Sequence, residues 1–260
     1  TGPGTARRKA DHNMKNSIRW DHLTSPEIRK LAEEKAIVLV PVGSTEQHGP
    51  HLPLGTDIFL AEELARRVSD ATGAVVLPSL NFGYSWGWRD IPGTVTFSEK
   101  LMEEILIETA RSVERYGVKV LVFLNGHEAN TSAMKYAIRR VQDEVSVKLL
   151  GMFYPGIKEV YARQMESPTW GGMFHADEFE TSLLLASDKK DLVQMDKAVR
   201  EYPPVPPLYG MDDSSIGVIS TSGVYGDATL ASAEKGEAMM EEFARRTAAL
   251  IGVALAGAQG

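Results

Sequence analysis

The chain contains no cysteine at all. That excludes disulfides, zinc–thiolate sites, iron–sulfur clusters and a cysteine nucleophile, so any metal has to be held by nitrogen and oxygen. Long apolar runs are missing too. Spanning a bilayer takes roughly 20 apolar residues, whereas the longest runs, near 36–42 and 118–124, have the length of buried strands. No membrane association is expected. Basic residues are scattered among acidic ones and the net charge is −7, so no positive stripe exists to neutralise a phosphate backbone and nucleic acid is not an expected partner. Arg7 and Arg8 are followed by a polar stretch, not by the apolar core of a secretory signal. A cytoplasmic location follows as the expectation. No Gly-x-Ser-x-Gly elbow follows a strand, which argues against a serine hydrolase built on Ser44 or Ser85.

What is present suits a real core: 260 residues, 43% of them hydrophobic. Residues 1–16 have no periodicity and are expected to be a disordered tail, leaving 17–260 as one domain. Apolar, β-rich runs at Ala36–Val42, Ala74–Leu80, Val118–Leu124 and Val147–Phe153 alternate with segments of helical period. This pattern predicts a three-layer α/β/α fold around a mainly parallel sheet. Phe59, Leu60, Leu64, Ala65 and Val68 recur at helical spacing. Thr96 to Glu99 reads as a capping box ahead of a second helix, and a third begins near Asn130. The segment from Tyr202 to Asp227, rich in proline and then in glycine and serine, reads as a surface excursion. A last helix from about Leu230 to Ala254 should close the fold.

The chemistry gathers where strands end. Gly43-Ser44-Thr45-Glu46-Gln47-His48-Gly49-Pro50-His51 follows the first strand, at the carboxyl edge where open α/β sheets bind ligands. In an extended segment Glu46 and His48 point the same way while Gln47 turns aside, and Asp57 opens the next helix close by. Two carboxylates and an imidazole suit Zn²⁺, Mn²⁺, Fe²⁺ or Co²⁺. Taken singly they could be a loop acid, a loop histidine and a helix cap; together they favour a metal site. His127, in Asn125-Gly126-His127, sits at another strand end behind a glycine that permits a tight turn. His175 and Glu180 form a third cluster, in which Asp177 and Glu178 are explained by the helix dipole alone.

Gly43 through Leu54 with Asp57 resembles the signature of the creatininase (creatinine amidohydrolase) family. Pro92 to Thr96, Asn125 to His127, His175 to Ser182, and Ser222 to Asp227 with Ala231 to Gly236 resemble family motifs in the family's order. The resemblance implies a binuclear centre of two divalent ions, Zn²⁺ or Mn²⁺, with Fe²⁺ also compatible. In it Asp57 bridges, Glu46 and His127 complete one site, His48 and Glu180 complete the other, and His175 shuttles a proton to the leaving nitrogen. It also implies a homo-oligomer, hexamers being among the relatives.

Creatininase itself carries a glutamate where this chain has Ala129, its own acid being displaced to Glu128. Members with glycine there rely on the later glutamate, here Glu180. Asp177 replaces a glycine of the family pattern, which could alter the pocket floor. Trp86, Trp88 and Trp170, with Arg89, Tyr84 and Phe174, lie in glycine-rich loops and are expected to wall a substrate pocket, Arg89 serving a polar group. The expected substrate is a small molecule with a cyclic amide or formamide C–N bond. The alternatives are C–C cleavage of a carbocyclic polyol ketone, or a non-catalytic small-molecule binder.

Overall fold

A computed structural model describes residues 18–34, 37–211 and 216–257. The expected tail and Ala36, the expected start of the first long strand, lie outside the described residues. Strands β1 (Ile18–Arg19), β2 (Ile37–Val42), β3 (Val75–Val76), β4 (Val120–Asn125) and β5 (Lys148–Phe153) form one parallel sheet in the spatial order β1-β3-β2-β4-β5. The helices are α1 (Ser25–Glu34), α2 (Thr56–Thr72), α3 (Glu99–Glu114), α4 (Asn130–Val141), α5 (Ile157–Gln164), α6 (Glu178–Leu185) and α7 (Ala233–Gly257).

The central strands β2 and β4 are buried along their whole length, which is why they read as unbroken apolar runs. Alternate side chains serve opposite faces. Leu39, Val120, Val122 and Leu124 pack with Leu60 and Leu64 of α2, Phe179 and Leu183 of α6 and Phe243 of α7. Val38, Val40, Val42, Leu121 and Phe123 pack with Met102 and Leu106 of α3 and Ala133 and Met134 of α4. The result is the three-layer α/β/α arrangement with a parallel central sheet.

Three local expectations need correction. The run Ala74–Leu80 supplies only a two-residue strand. Pro78 has no N–H to donate, yet the chain stays beside β2 through Leu77 N–H to Leu39 O (2.8 Å) and Leu80 N–H to Pro41 O (2.9 Å). The cap of α3 is Ser98, whose hydroxyl accepts from Leu101 N–H; Thr96 instead accepts from Ser85 N–H. The excursion after Tyr202 is not all surface. β6 (Arg200–Glu201) pairs antiparallel with β7 (Gly226–Asp227), and Val224 and Tyr225 are fully buried. Tyr225 earns its burial by pairing both ends of the phenol: its hydroxyl bonds Ile216 O and Ser220 N–H, and its ring packs on Trp170 at 4.7 Å. Among the described residues no helix is long and apolar enough to cross a membrane.

Candidate metal centre

β2 and β4 are neighbours in register, with Val42 opposite Asn125. The loops that follow them therefore leave the same edge of the sheet side by side. One carries Glu46 and His48 and runs into α2 at Thr56; the other carries His127. Asp57, the second residue of α2, stands between them. His48 Nε2 lies 3.1 Å from one Asp57 carboxylate oxygen and His127 Nδ1 lies 3.0 Å from the other, which also accepts from the Ser44 hydroxyl at 2.7 Å. His127 Nε2 faces Glu46 at 3.3 Å, and His48 Nε2 faces Glu180 at 3.7 Å. Ligand atoms of Glu46, Asp57 and His127, and separately of His48, Asp57 and Glu180, all lie within 4.8 Å of one another. The sequence thus brings five residues from four segments to one point. Glu128 is exposed, and Glu178 turns to Lys235 on α7, so neither alternative acid joins the cluster.

Three buried carboxylates in one spot demand positive charge. Neither oxygen of Glu46 has a hydrogen-bond partner among the described residues, and burial pushes its carboxyl pKa up. Burial, with Asp57 and Asp177 nearby, likewise raises Glu180 to about 8, although His48 opposes this. Burial would also raise Asp57, but His48 and His127 outweigh it and hold the carboxyl well below its usual range. The histidines respond in kind. Burial alone would lower them, yet the surrounding carboxylates lift His48 to about 10 and His127 to about 9. Protons on the imidazoles here balance charge that divalent cations would balance in their place, one in each ligand set. His48 is also oriented as metal-ligating histidines are, its Nδ1–H donating to the Glu46 backbone carbonyl (3.1 Å) and its Nε2 facing the carboxylates. The donor set fits divalent metal.

The backbone before α6 is shaped to the same end. Asp177 caps the helix, accepting from Phe179 and Glu180 N–H, and its other oxygen takes the Tyr161 hydroxyl at 3.0 Å. It is a structural cap and does not line the cavity floor. Ala176 sits in the left-handed region, at φ 50°, which costs a residue with a Cβ about 1 kcal/mol. Its N–H thereby reaches the Glu180 carboxylate at 2.6 Å.

His175 approaches the cluster from this segment, Nδ1 lying 3.8 Å from Glu46. Its Nε2 is 2.8 Å from the backbone carbonyl of Gln47, to which it donates. Gln47, expected to turn aside, is therefore the residue that orients His175, and its own amide is fixed by Gly223 O and Gly49 N–H. Trp88 stacks on the imidazole, centroids 4.0 Å apart and planes 20° off parallel. Burial, then the neighbouring His48, holds His175 well below the usual histidine pKa. Nδ1 is therefore a bare acceptor at neutral pH, not a group poised at an intrinsic value.

A cavity of about 350 Å³ opens onto the cluster. Glu46, His127, His175 and Glu180 line it with Trp88, Phe174 and Tyr209. Of the expected wall residues, only Trp88 and Phe174 do so. Trp170 is buried in an aromatic group with Tyr209 and Tyr225. Trp86 is exposed and pairs with Arg89, whose guanidinium lies 3.9 Å from the ring centroid. Tyr209 gives no signal in sequence because the segment that carries it reads as a surface excursion.

Such a donor set at the carboxyl edge of a parallel sheet defines an α/β/α protein able to hold divalent metal. The comparisons place it further. A family model described as creatinine amidohydrolase matches residues 21–251, and the chain belongs to the creatininase family. It is 32% identical over 222 residues to the mycofactocin precursor peptide peptidase of Mycolicibacterium smegmatis, covering 83% of this chain and 84% of that one. It is 29% identical over 246 residues to the creatinine amidohydrolase of Pseudomonas putida, covering 88% and 94%. Among solved structures, a manganese creatininase aligns with a TM-score of 0.76 at 27% identity, covering 91% of this chain and 98% of that one. A creatininase variant of the Zn–Zn type aligns comparably, at 0.75 and 28%, covering 91% and 97%.

Proposed function

We propose that the chain hydrolyses the C–N bond of an amide at a two-metal centre, with Asp57 shared between a Glu46–His127 site and a His48–Glu180 site. One observation carries this reading: the two oxygens of Asp57 face two different histidines, each of which belongs to a separate carboxylate–imidazole triad. Zinc or manganese is the assigned metal, as in the structural neighbours. When bound, two such ions supply a water that ionises near neutral pH and polarise the carbonyl it attacks.

The chain's own residues do the rest. Trp88 and Gln47 hold the His175 ring with Nε2 committed to a carbonyl, so Nδ1 alone is free to take a proton. A base so weakened by burial gives that proton up readily, here to the leaving nitrogen, and water is thereby added across the C–N bond to give acid and amine. Trp88 and Phe174 wall the substrate, while Trp170 supports that wall through Tyr209. Trp86 and Arg89 are assigned to a surface pair. Both named relatives are described by the cleavage of an amide, which favours C–N over C–C chemistry. The remaining assignments are a cytoplasmic enzyme and a homo-oligomer. Leu250 and Val253, exposed on α7 beside the edge strand β5, support the latter.

The test is a rate screen of metal-reconstituted protein against creatinine, formamidopyrimidines, short peptides and cyclic polyol ketones. Amide turnover that is lost on chelation, and lost in Glu46→Ala and Asp57→Ala with the fold intact, is the expected result. Metal-free protein with undiminished activity would sink the reading, and turnover of the ketone alone would replace it with C–C cleavage.

A further inference from the structure

Beside the cluster, the end of β5 carries a strained and buried tyrosine. β5 runs next to β4 with Phe153 opposite Asn125, so the following residue, Tyr154, stands level with Gly126 in the row of strand ends. There its backbone enters the left-handed region, at φ 35°, a conformation that a bulky residue rarely adopts and that costs free energy. Among the described residues Ala176 is the only other non-glycine residue with positive φ, and its turn delivers an N–H to Glu180. Packing holds Tyr154 in place. Its ring lies against Phe153, Phe179 and Phe243, with centroids 5.0, 5.5 and 5.0 Å away. Its carbonyl accepts from Ile157 N–H at 2.9 Å, and Arg246 of α7 lies against Gly156 in the same turn. The residue is fully buried, yet its hydroxyl has no hydrogen-bond partner among the described residues. A buried phenol usually finds one.

Two carboxylates face that hydroxyl. Burial first, then the charges of Asp57 and Glu180, hold its pKa well above the ordinary tyrosine value, so it remains a protonated donor. Asp57 is already occupied: one oxygen faces His48 and the other His127 and the Ser44 hydroxyl. Glu180 is not. One of its oxygens accepts from Ala176 N–H and faces His48, and no hydrogen bond reaches the other among the described residues. We infer that Tyr154 is a positioning residue, whose hydroxyl donates to the Glu180 carboxylate when His48, Asp57 and Glu180 hold a divalent ion. Groups behind a ligating carboxylate fix its orientation in this way. Tyr154 lies outside the cavity lining, so it acts through Glu180 and not on substrate. The inference rests on the two-metal reading above, but its test does not need turnover.

Zinc is titrated calorimetrically into the metal-free full chain, which should take up two ions. Tyr154→Phe, which deletes the hydroxyl alone, should weaken one of the two binding events about tenfold, the low end for loss of a group that supports a ligand. Glu180→Ala should lose that same event, and adding Tyr154→Phe to it should leave the remaining one unchanged. Metal-free Tyr154→Phe should melt at least as high as wild type, because the deleted group has no partner there. With tyrosine isotope-labelled at the ring carbon that bears the hydroxyl, the Tyr154 resonance, assigned by its loss in Tyr154→Phe, should move when zinc is added. Unchanged zinc affinity in Tyr154→Phe, a tenfold loss that persists in the Glu180→Ala background, or a static Tyr154 resonance overturns the inference. So does a metal-free melting point more than about 4 °C below wild type, which would make the hydroxyl a structural group. Each of these, with wild type binding two ions, leaves the two-metal reading standing, whereas wild type that binds no zinc overturns both.

Discussion

Gly126 packs directly against the backbone of Asp57: a Cβ at Gly126 would stand 2.1 Å from the Asp57 carbonyl oxygen. Its role is close approach between the end of β4 and the start of α2, not an unusual backbone angle. Because the obstructing atom is backbone, Gly126→Ala has to push the two segments apart, and with them His127 and Asp57. We expect metal content and activity to fall together, by about 10- to 100-fold in affinity, as when groups supporting a ligand are removed. Gly252→Ala is the control. Nothing lies within 4 Å of its would-be Cβ, in α7, and it should leave activity alone while raising stability by up to about 1 kcal/mol. Metal analysis and thermal unfolding of the two variants decide the point.

His48 and His127, at about 10 and 9, hold protons throughout the neutral range in the metal-free chain. Metal has to displace those protons. Apparent affinity should therefore weaken as pH falls from 8 to 6, by up to about tenfold per pH unit for each proton displaced. Zinc addition in weak buffer should release protons to an indicator dye. The stability of the metal-free protein runs the other way. A histidine whose folded pKa is raised stabilises fully below its unfolded value, 6.5, and that contribution is lost as pH climbs through 9 to 10. Metal should accordingly raise the melting temperature more at pH 9 than at pH 6. A pH-independent affinity with no proton release would contradict this charge assignment.

The contrast between what sequence reveals and what it hides is physical. Buried parallel strands such as Val120–Asn125 and amphipathic helices such as α2 announce themselves by periodicity, since a whole face answers to one environment. Glu46, His48 and Asp57 are legible because strand ends in a parallel sheet converge on one edge. Gln47 is not. Its backbone carbonyl and its side-chain amide both meet His175 from 128 positions away, and the amide meets Gly223 from 176, contacts that no local pattern announces. The aromatic loops mislead for a similar reason. Trp86, Trp88 and Trp170 look equivalent in the chain, and only tertiary packing sends one to the cavity, one to the surface and one beneath Tyr225. Tyr225 is hidden in a glycine- and serine-rich stretch whose composition implies solvent.

Glu178 has no exposure and is held by Lys235 on α7 together with the N–H groups of Glu166 and Ser167. This acid ties the loop that leads to His175 to the last helix. Lys235→Met removes what is, among the described residues, the only cationic partner of a buried carboxylate and should cost about 3 kcal/mol, the lower range for breaking such a pair. Lys235→Arg should recover part of it. Denaturant unfolding measures the loss; a change below about 0.5 kcal/mol, typical of an ordinary surface substitution, would show that the two N–H groups suffice.

Glu201 offers an acid-sensitive link to the same region. Burial opposes its charge, but the Ser222 hydroxyl and the N–H groups of Thr221 and Ser222 prevail, and its pKa is held down to about 2. A carboxylate depressed in the folded state stabilises above its ordinary value, 4.5, and loses that contribution as pH falls from there through 2. The turn it clamps runs on to Gly223, whose carbonyl takes the Gln47 amide at 3.1 Å. Acidification should therefore loosen this turn and, through Gln47, the seat of His175. Amide exchange at Thr221 and Ser222, corrected for intrinsic pH dependence, should accelerate below pH 4.5. In Glu201→Gln it should already be fast at pH 7 and should show no such step. A protected, pH-independent turn in that variant would mean that Tyr225 and the β6–β7 pairing hold the segment without the carboxylate.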